Sequence, residues 1–417
     1  MCEALTRARI FVVALACSAV GCGGDVSGED VEGTRLGAVL PFTGATAASG
    51  ANIERALLLA VEEINAAGGA GGQPVALITE DSHSSVERGL DSVRSLIEDR
   101  GVVSLIGPAQ GELLQEMLGV VEERRIPLVS GSTTSIPSTE DDGFAFTTAP
   151  TATDLAEALA TRVYTDGVGK VAILHENSEY GSSFAQAVEA EILRRDGEVT
   201  TVKSFNAGGG GYGPVLQDIA EGAPDAIVLV AYPLAGASIV LERAISYERT
   251  QWYLAPTLNA EQFFQNVPPQ VLDGAVGVSP AVGGDGDTFA RVFSERWRGE
   301  QPLAAAYFFY DAAMLWALAY EAAYVDIGAA PNAATVRDFV DDISQSPGER
   351  IPWDSIDEAL ALVREGAPVD YCGASGFVDL DAEGDIRTPL FEFWTVEDNE
   401  PNPEPVGAPP VCRVSGL

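Results

Sequence analysis

The 417-residue chain reads as an α/β protein of two successive lobes, each built on a parallel sheet. Short, wholly apolar runs alternate with longer stretches of helical periodicity, the alternation restarts near residue 170, and the length suffices for two cores. Residues 36–40, 75–79, 102–106 and 126–129 form the first set of predicted strands, each bounded by Gly, Pro or acidic turn residues. Between the first two, Ile53, Leu57, Ala60, Val61 and Ile64 recur at helical spacing, and the helix stops at Gly68 and Gly69. Strands buried on both faces and separated by helices require a parallel sheet with right-handed crossovers. Residues 171–174, 199–205, 226–230 and 252–254 form the second strand set, with helices around 152–164, 182–195 and 234–246. The chain then turns mostly helical over 287–298, 303–325 and 333–344, and a hairpin-like pair is expected around Asp381 to Asp385. The last third is therefore shared between the lobes.

Composition narrows the function. With 24 basic against 62 acidic residues the net charge is -38, which repels phosphate backbones and excludes a nucleic-acid partner. The first 22 residues have the layout of an export signal: Arg7 and Arg9, an apolar run from Ile10 to Val20, then Gly21 and Cys22. That run is too short to span a bilayer, which takes about 20 residues. Small residues before Cys22, followed by the polar tether of residues 23–33, resemble a bacterial lipobox, with Cys22 as the lipidated residue. Ala19 stands where leucine is usual, Cys17 is a weaker competing site, and simple secretion is the alternative. Of five cysteines, Cys372 and Cys412 remain after the signal and Cys22 are set aside. Two thiols in an exported chain are expected to pair, the alternative being two free thiols.

Catalytic signatures are weak. His83 and His175 lack metal-ligand spacing, and no nucleophile elbow or paired-cysteine motif is present. The glycines from Gly208 to Gly213 satisfy a dinucleotide template by composition, and the acidic residue that follows, Asp225, is too close and opens a strand. The acidic segment from Asp379 to Gly384 begins like a calcium loop but has Leu390 where the closing glutamate belongs, so a tight turn is expected. No enzyme activity, metal or cofactor is expected. The predicted strand ends carry small, hydroxyl-bearing or aromatic residues instead, at 41–50, 107–111, 130–134, 178–181, 232–233 and 256–257. In open parallel sheets ligands lie outside these carboxyl ends, where helix N-termini present unpaired N–H groups.

These segments resemble the type I periplasmic binding proteins of the leucine/isoleucine/valine-binding branch. LGAVLPFTG from Leu36 to Gly44 with Ser49-Gly50 looks like the family's opening strand and loop, and INAAGG from Ile64 with Gly72 to Val75 and Asp81 like its second signature. Leu105 to Pro108, Glu179 to Gly181, Asp225 to Val228, and Tyr371 to Gly376 with Asp381 to Asp385 continue the match in order. The resemblance implies two Rossmann-like lobes with parallel central sheets joined by a three-crossing hinge. Lobe 1 would take 34–149 plus 281–370, lobe 2 would take 150–280 plus 371–400, and residues 401–417 would be a Pro-rich tail. It further implies a solute receptor serving the membrane permease of an ABC importer, which with the lipobox is expected to be a lipid-anchored monomer on the periplasmic side of the cell envelope; the alternative is a ligand-sensing or envelope-regulatory lipoprotein of the same fold without transport. Its implied ligand site is Ser49, Gln110, Gly111, Ser132, Thr133, Thr134, Tyr180, Tyr232 and Thr257. Gly111 replaces a family serine, and Thr257 replaces the acidic partner of an α-ammonium. That places an ordinary amino-acid ligand in doubt unless Glu112, Glu179 or Glu261 supplies the charge.

Overall fold

A computed structural model describes residues 33–44, 46–133, 143–208, 211–246, 251–283, 286–345, 347–404 and Cys412. The first sheet contains β1 (Thr34–Leu40), β2 (Val75–Asp81), β3 (Ser104–Ile106), β4 (Leu128–Ser130) and β5 (Ala145–Thr147), in the order β2-β1-β3-β4-β5. All four pairings are parallel. The crossovers are α1 (Ala47–Ala66), α2 (Val86–Glu98) and α3 (Gly111–Arg124). After α4 (Ala152–Thr165), a second sheet collects β6 (Lys170–Glu176), β7 (Glu198–Phe205), β8 (Ala226–Val230), β9 (Gln251–Leu254) and β10 (Val276–Pro280). Its helices are α5 (Glu179–Arg194), α6 (Gly213–Glu221), α7 (Pro233–Ser246) and α8 (Glu261–Gln265).

The remaining helices return to the first sheet: α9 (Gly286–Arg296), α10 (Ala304–Ile327), α11 (Ala333–Ile343) and α12 (Ile356–Arg364). The short parallel pair β11 (Glu349–Pro352) and β12 (Val369–Cys372) packs with them. Last, β13 (Phe391–Glu397) and β14 (Glu400–Pro403) extend the second sheet antiparallel, giving β14-β13-β10-β9-β8-β6-β7.

Each sheet is covered on both faces. Leu36, Ala38 and Leu40 of β1 point into the core shared with α1 and α10, whereas Val39 points to the core of α2 and α3. This period of two on a fully buried strand explains why the strands read as continuous apolar runs. The second sheet repeats the arrangement, with α6, α7 and α8 on one face and α4 and α5 on the other. Helix α10 is apolar around most of its circumference because it is central: Phe308, Phe309, Leu315 and Trp316 are all buried.

The chain crosses between the sheets three times, at 148–151, near 281–283 and at 387–390. Helix α10 anchors the first crossing, where the Thr148 hydroxyl donates to the Phe308 carbonyl at 2.6 Å. It buttresses the second through Asp311, which is fully buried. The Asp311 carboxylate accepts from Tyr371 Oη, Ala374 N and Ser375 N at 2.8 Å each, and from Ser375 Oγ at 2.5 Å. The Ser375 carbonyl in turn accepts from Gly283 N at 2.6 Å.

Two boundaries differ from the sequence expectation. The family pattern assigns residues 371–400 to lobe 2, yet Tyr371, Ala374, Val378, Leu380 and Ile386 pack in the core of the first sheet, so only the segment from β13 onward joins the second. The expected tail also begins too early, because Glu400–Pro403 is strand β14. Proline lacks the N–H a central strand needs, and an edge strand tolerates Pro401 and Pro403. The acidic segment near Asp381 is a tight turn: Leu380 and Ile386 form an antiparallel bridge, and Asp381 Oδ1 accepts from the backbone N–H groups of Glu383 and Asp385, both at 3.0 Å. Cys372 and Cys412 are disulfide-bonded, closing a sequence separation of 40 residues. On a chain-entropy basis such a loop restrains the unfolded state by roughly 4 kcal/mol.

Candidate functional site

The described residues of the expected ligand site follow strands at their carboxyl ends in both sheets, most of them in strand-to-helix turns. On the first sheet, Ser49 is half-buried in the opening turn of α1. This helix starts hard against β1, since a Cβ at Gly50 would fall 2.1 Å from the Pro41 carbonyl oxygen. Gln110 is the N-cap of α3, its Oε1 accepting from Ser82 Oγ at 3.2 Å, and Gly111 opens the helix. Beyond β4, Ser132 is buried; its N–H donates to Ser130 Oγ at 3.1 Å and its carbonyl accepts from Thr147 Oγ1 at 3.1 Å. Thr133 is half-buried beside it, and Thr134 lies outside the described residues. Cys22 lies outside them as well.

The second sheet brings together residues far apart in sequence. Ser178 caps α5, accepting from Gly181 N at 3.1 Å, and a Cβ at Gly181 would lie 2.1 Å from the Glu176 carbonyl oxygen. That tight turn sets Tyr180 in the first turn of α5. Its ring centroid is 5.9 Å from that of Tyr232 and 5.8 Å from that of Phe184, and its hydroxyl is 3.4 Å from Thr257 Oγ1. Thr257 donates its own proton to the Ala231 carbonyl at 2.7 Å, so it accepts from Tyr180. Tyr232 remains 42% exposed. Burial raises the pKa of both tyrosines, and for Tyr232 the charges of Glu112 and Glu176 add to the effect. Both phenols are neutral donors at physiological pH.

Glu112 therefore has a definite place. It is an exposed residue in the first turn of α3, which meets α5 of the opposite sheet, and its charge is felt at Tyr232. Glu261 is occupied locally, accepting from Gln265 Nε2 at 2.6 Å. Glu176 is absent from the set expected from sequence, yet its Oε2 accepts from the Tyr232 N–H at 3.0 Å. The signal for it is its place as the last residue of β6, at the ligand-facing end. Equally unexpected is how Asp81 organises the β1–α1 loop. Its Oδ1 accepts from the backbone N–H groups of Phe42, Thr43 and His83, at 2.9, 3.2 and 2.7 Å, and its Oδ2 accepts from Thr43 Oγ1 at 2.7 Å. Partial burial opposes ionisation of Asp81, but these donors outweigh it and hold its pKa below the usual carboxylate value.

A separate groove of about 490 Å³ lies over α4, α5 and β13, lined by Arg162, Arg194 and Arg195 with Phe391 and Phe393. Its arginines are committed, Arg162 to Asp166 and Glu404, and the other two to the buried Glu191. We regard it as a surface brace. Among the described residues no group of three or more His, Cys, Asp or Glu is placed to hold a metal, and no helix is long and apolar enough to cross a membrane.

Comparison with known proteins agrees with this architecture. The chain is 26% identical over 204 residues to Leu/Ile/Val-binding protein homolog 2 of Brucella abortus (strain 2308), covering 48% of this chain and 54% of that one. It thus spans about half the length of that curated relative. It is 25% identical over 361 residues, 83% of each chain, to the chemotactic signal transduction system substrate-binding protein BasB of Halobacterium salinarum. Among solved structures, the leucine binding protein LivK of Thermotoga maritima shares the fold with a TM-score of 0.72 at 18% identity, over 89% of this chain and 98% of that one. The model of the periplasmic binding protein family matches residues 33–360. With two parallel-dominated sheets, three crossings and a match over most of its length, the chain belongs to the type I periplasmic binding protein family.

Proposed function

We propose that the chain is a non-enzymatic, extracytoplasmic receptor that closes its two lobes around a small polar solute, an amino acid or amino-acid-like compound. It then presents the solute to the permease of an ABC-type importer. The observation that carries this reading is that α3 of the first sheet meets α5 of the second. Ser132, Thr133 and the N-termini of α1 and α3 follow strands of the first sheet, and Tyr180, Tyr232 and Thr257 follow strands of the second. Hydroxyls, helix N–H groups and ring faces suit reversible binding of a small ligand. Closure is a population shift driven by contacts the ligand makes only when both lobes engage it. In this reading Cys22 carries the acyl anchor, the protein works as a monomer on the periplasmic side of the membrane, and no cofactor is needed.

Relatedness to BasB over 83% of each chain favours a second reading, in which the same receptor reports the solute to a sensing system. Thermal melting of the mature chain against single amino acids, amides, aromatic acids and short peptides tests the receptor reading. A ligand at about 100 times its Kd adds roughly 2.7 kcal/mol of stability, which is a readily measured upward shift. A melting temperature unmoved by every compound contradicts it. Solute uptake abolished by deleting the chain supports import, and unchanged uptake with a lost response to the solute supports sensing.

A further inference from the structure

We infer that the disulfide between Cys372 and Cys412 is an interlobe strap. It returns the chain to the first lobe after β14, and so adds a fourth covalent link to the three crossings between the sheets and limits how far the lobes can part.

Each end of the strap is fixed to a different lobe. Cys372 closes β12, and its neighbours Tyr371 and Ala374 pack in the core of the first sheet. The turn that follows is held to α10 of that lobe, since Asp311 accepts from the N–H groups of Ala374 and Ser375 at 2.8 Å each. Both cysteines are buried, so the bond is built into the first lobe. Beyond Cys372 the chain crosses at 387–390 and enters the second sheet as β13 and β14. Glu404 is fastened there twice. Its N–H donates to the Phe393 carbonyl at 2.8 Å, and its carboxylate accepts from Arg162 Nη1 and Nη2 of α4 at 2.6 and 2.8 Å. Such a fork fixes geometry as well as charge. Cys412, eight residues further on, is bonded back to the first lobe. Eight residues span at most about 28 Å, so lobe arrangements that set the two anchors further apart are excluded, and nearer ones are untouched. A cross-link acts by removing conformations from the looser ensemble, which here is the open one, so the strap favours closure. The packing of Tyr371 to Ile386 decides the matter: were this segment part of the second lobe, as the family pattern implies, the bond would lie within that lobe and strap nothing. Lobe movement is the one element taken from the receptor reading.

The test compares ligand-free mature chains by small-angle X-ray scattering. One variant carries about twelve Gly and Ser residues inserted between positions 407 and 408, which keeps the disulfide and adds about 40 Å of reach. A control carries the same residues appended after Leu417, leaving the strap unchanged. A third protein combines Cys372→Ser with Cys412→Ser. Lengthening the disulfide loop alters its closure entropy only slightly, so a purely structural disulfide survives the insertion with an unchanged melting temperature. The expected result is a radius of gyration larger than the control's by on the order of 1 Å, against about 21 Å for a compact chain of this length, in the insertion variant and in the double serine variant. Should the serine variant fail to fold, the insertion variant decides alone. An insertion variant no larger than the control overturns the inference. So does an expansion accompanied by a lowered melting temperature, or free thiols titrating in the folded wild type. All three leave the receptor reading intact, because that reading stands or falls on solute binding.

Discussion

Replacing Asp311 with asparagine is expected to remove about 3 kcal/mol of folding stability at neutral pH. The carboxylate receives four donors on two oxygens, and an amide in its place sets an NH2 group against a buried N–H of Ala374 or Ser375. An orphaned buried donor costs about 1–3 kcal/mol, and the displaced turn carries the contact to Gly283 with it. Space offers no relief, since a Cβ at Gly373 would already fall 2.2 Å from Asp311 Oδ2. The effect is also pH-dependent. Burial pushes the Asp311 carboxyl up to about 6 against the pull of its donors from Ser375, Ala374 and Tyr371. A carboxyl whose folded pKa is raised binds its proton more tightly in the native state, so its contribution favours folding below the unfolded pKa near 4 and is lost as pH rises through 6. Two pKa units correspond to about 3 kcal/mol. Urea unfolding at pH 7 and pH 4.5 should therefore show the wild type pulling further ahead of Asp311→Asn at the lower pH. Burial likewise raises Glu54, Glu63, Asp341, Asp379 and Glu392, but these groups are common to both proteins and cancel in the comparison. A gap that is constant or narrows on acidification contradicts the role given to Asp311.

Truncating Tyr180 to alanine should weaken binding of the solute found by the melting screen by roughly 30-fold, corresponding to about 2 kcal/mol for the loss of an aromatic anchor. The ring supports Tyr232 and contacts Phe184, while its hydroxyl is one end of the Tyr180, Thr257, Ala231 chain. Tyr180→Phe removes only the hydroxyl and should cost about threefold, because the 3.4 Å contact is a long hydrogen bond. Tyr180 is half-buried at a helix start, so neither variant should unfold the chain. Calorimetric titration with circular dichroism as a folding control measures both effects. Equal affinities for wild type and Tyr180→Ala would remove this residue from the site.

Strands covered on both faces are legible in sequence because nothing on them is polar, as in Ala226–Val230. The turns between them are legible because helix N-termini demand Gly, Pro and hydroxyl residues. The three-residue strand β5 is not, since Ala145–Thr147 is too short to show a period. Nor is the route of the segment after β12. Its place with the first sheet depends on Asp311 bonding to Ser375, 64 residues away, and such pairings leave no periodic trace. The disulfide between Cys372 and Cys412 agrees with the pairing expected once the three cysteines of the first 22 residues are set aside. At the proposed site, the strand-end rule singles out Tyr180, Tyr232 and Thr257, whereas their mutual contacts and the nearness of Glu176 emerge only from the packed turns.

In the proposed function the two lobes, linked by three crossings of which α10 braces two, close on a small solute. Small-angle X-ray scattering of the mature chain, with and without a solute that raises its melting temperature, tests this most directly. Closure predicts a smaller radius of gyration when the solute is bound, and a bound form whose scattering is identical to that of the free protein would contradict it.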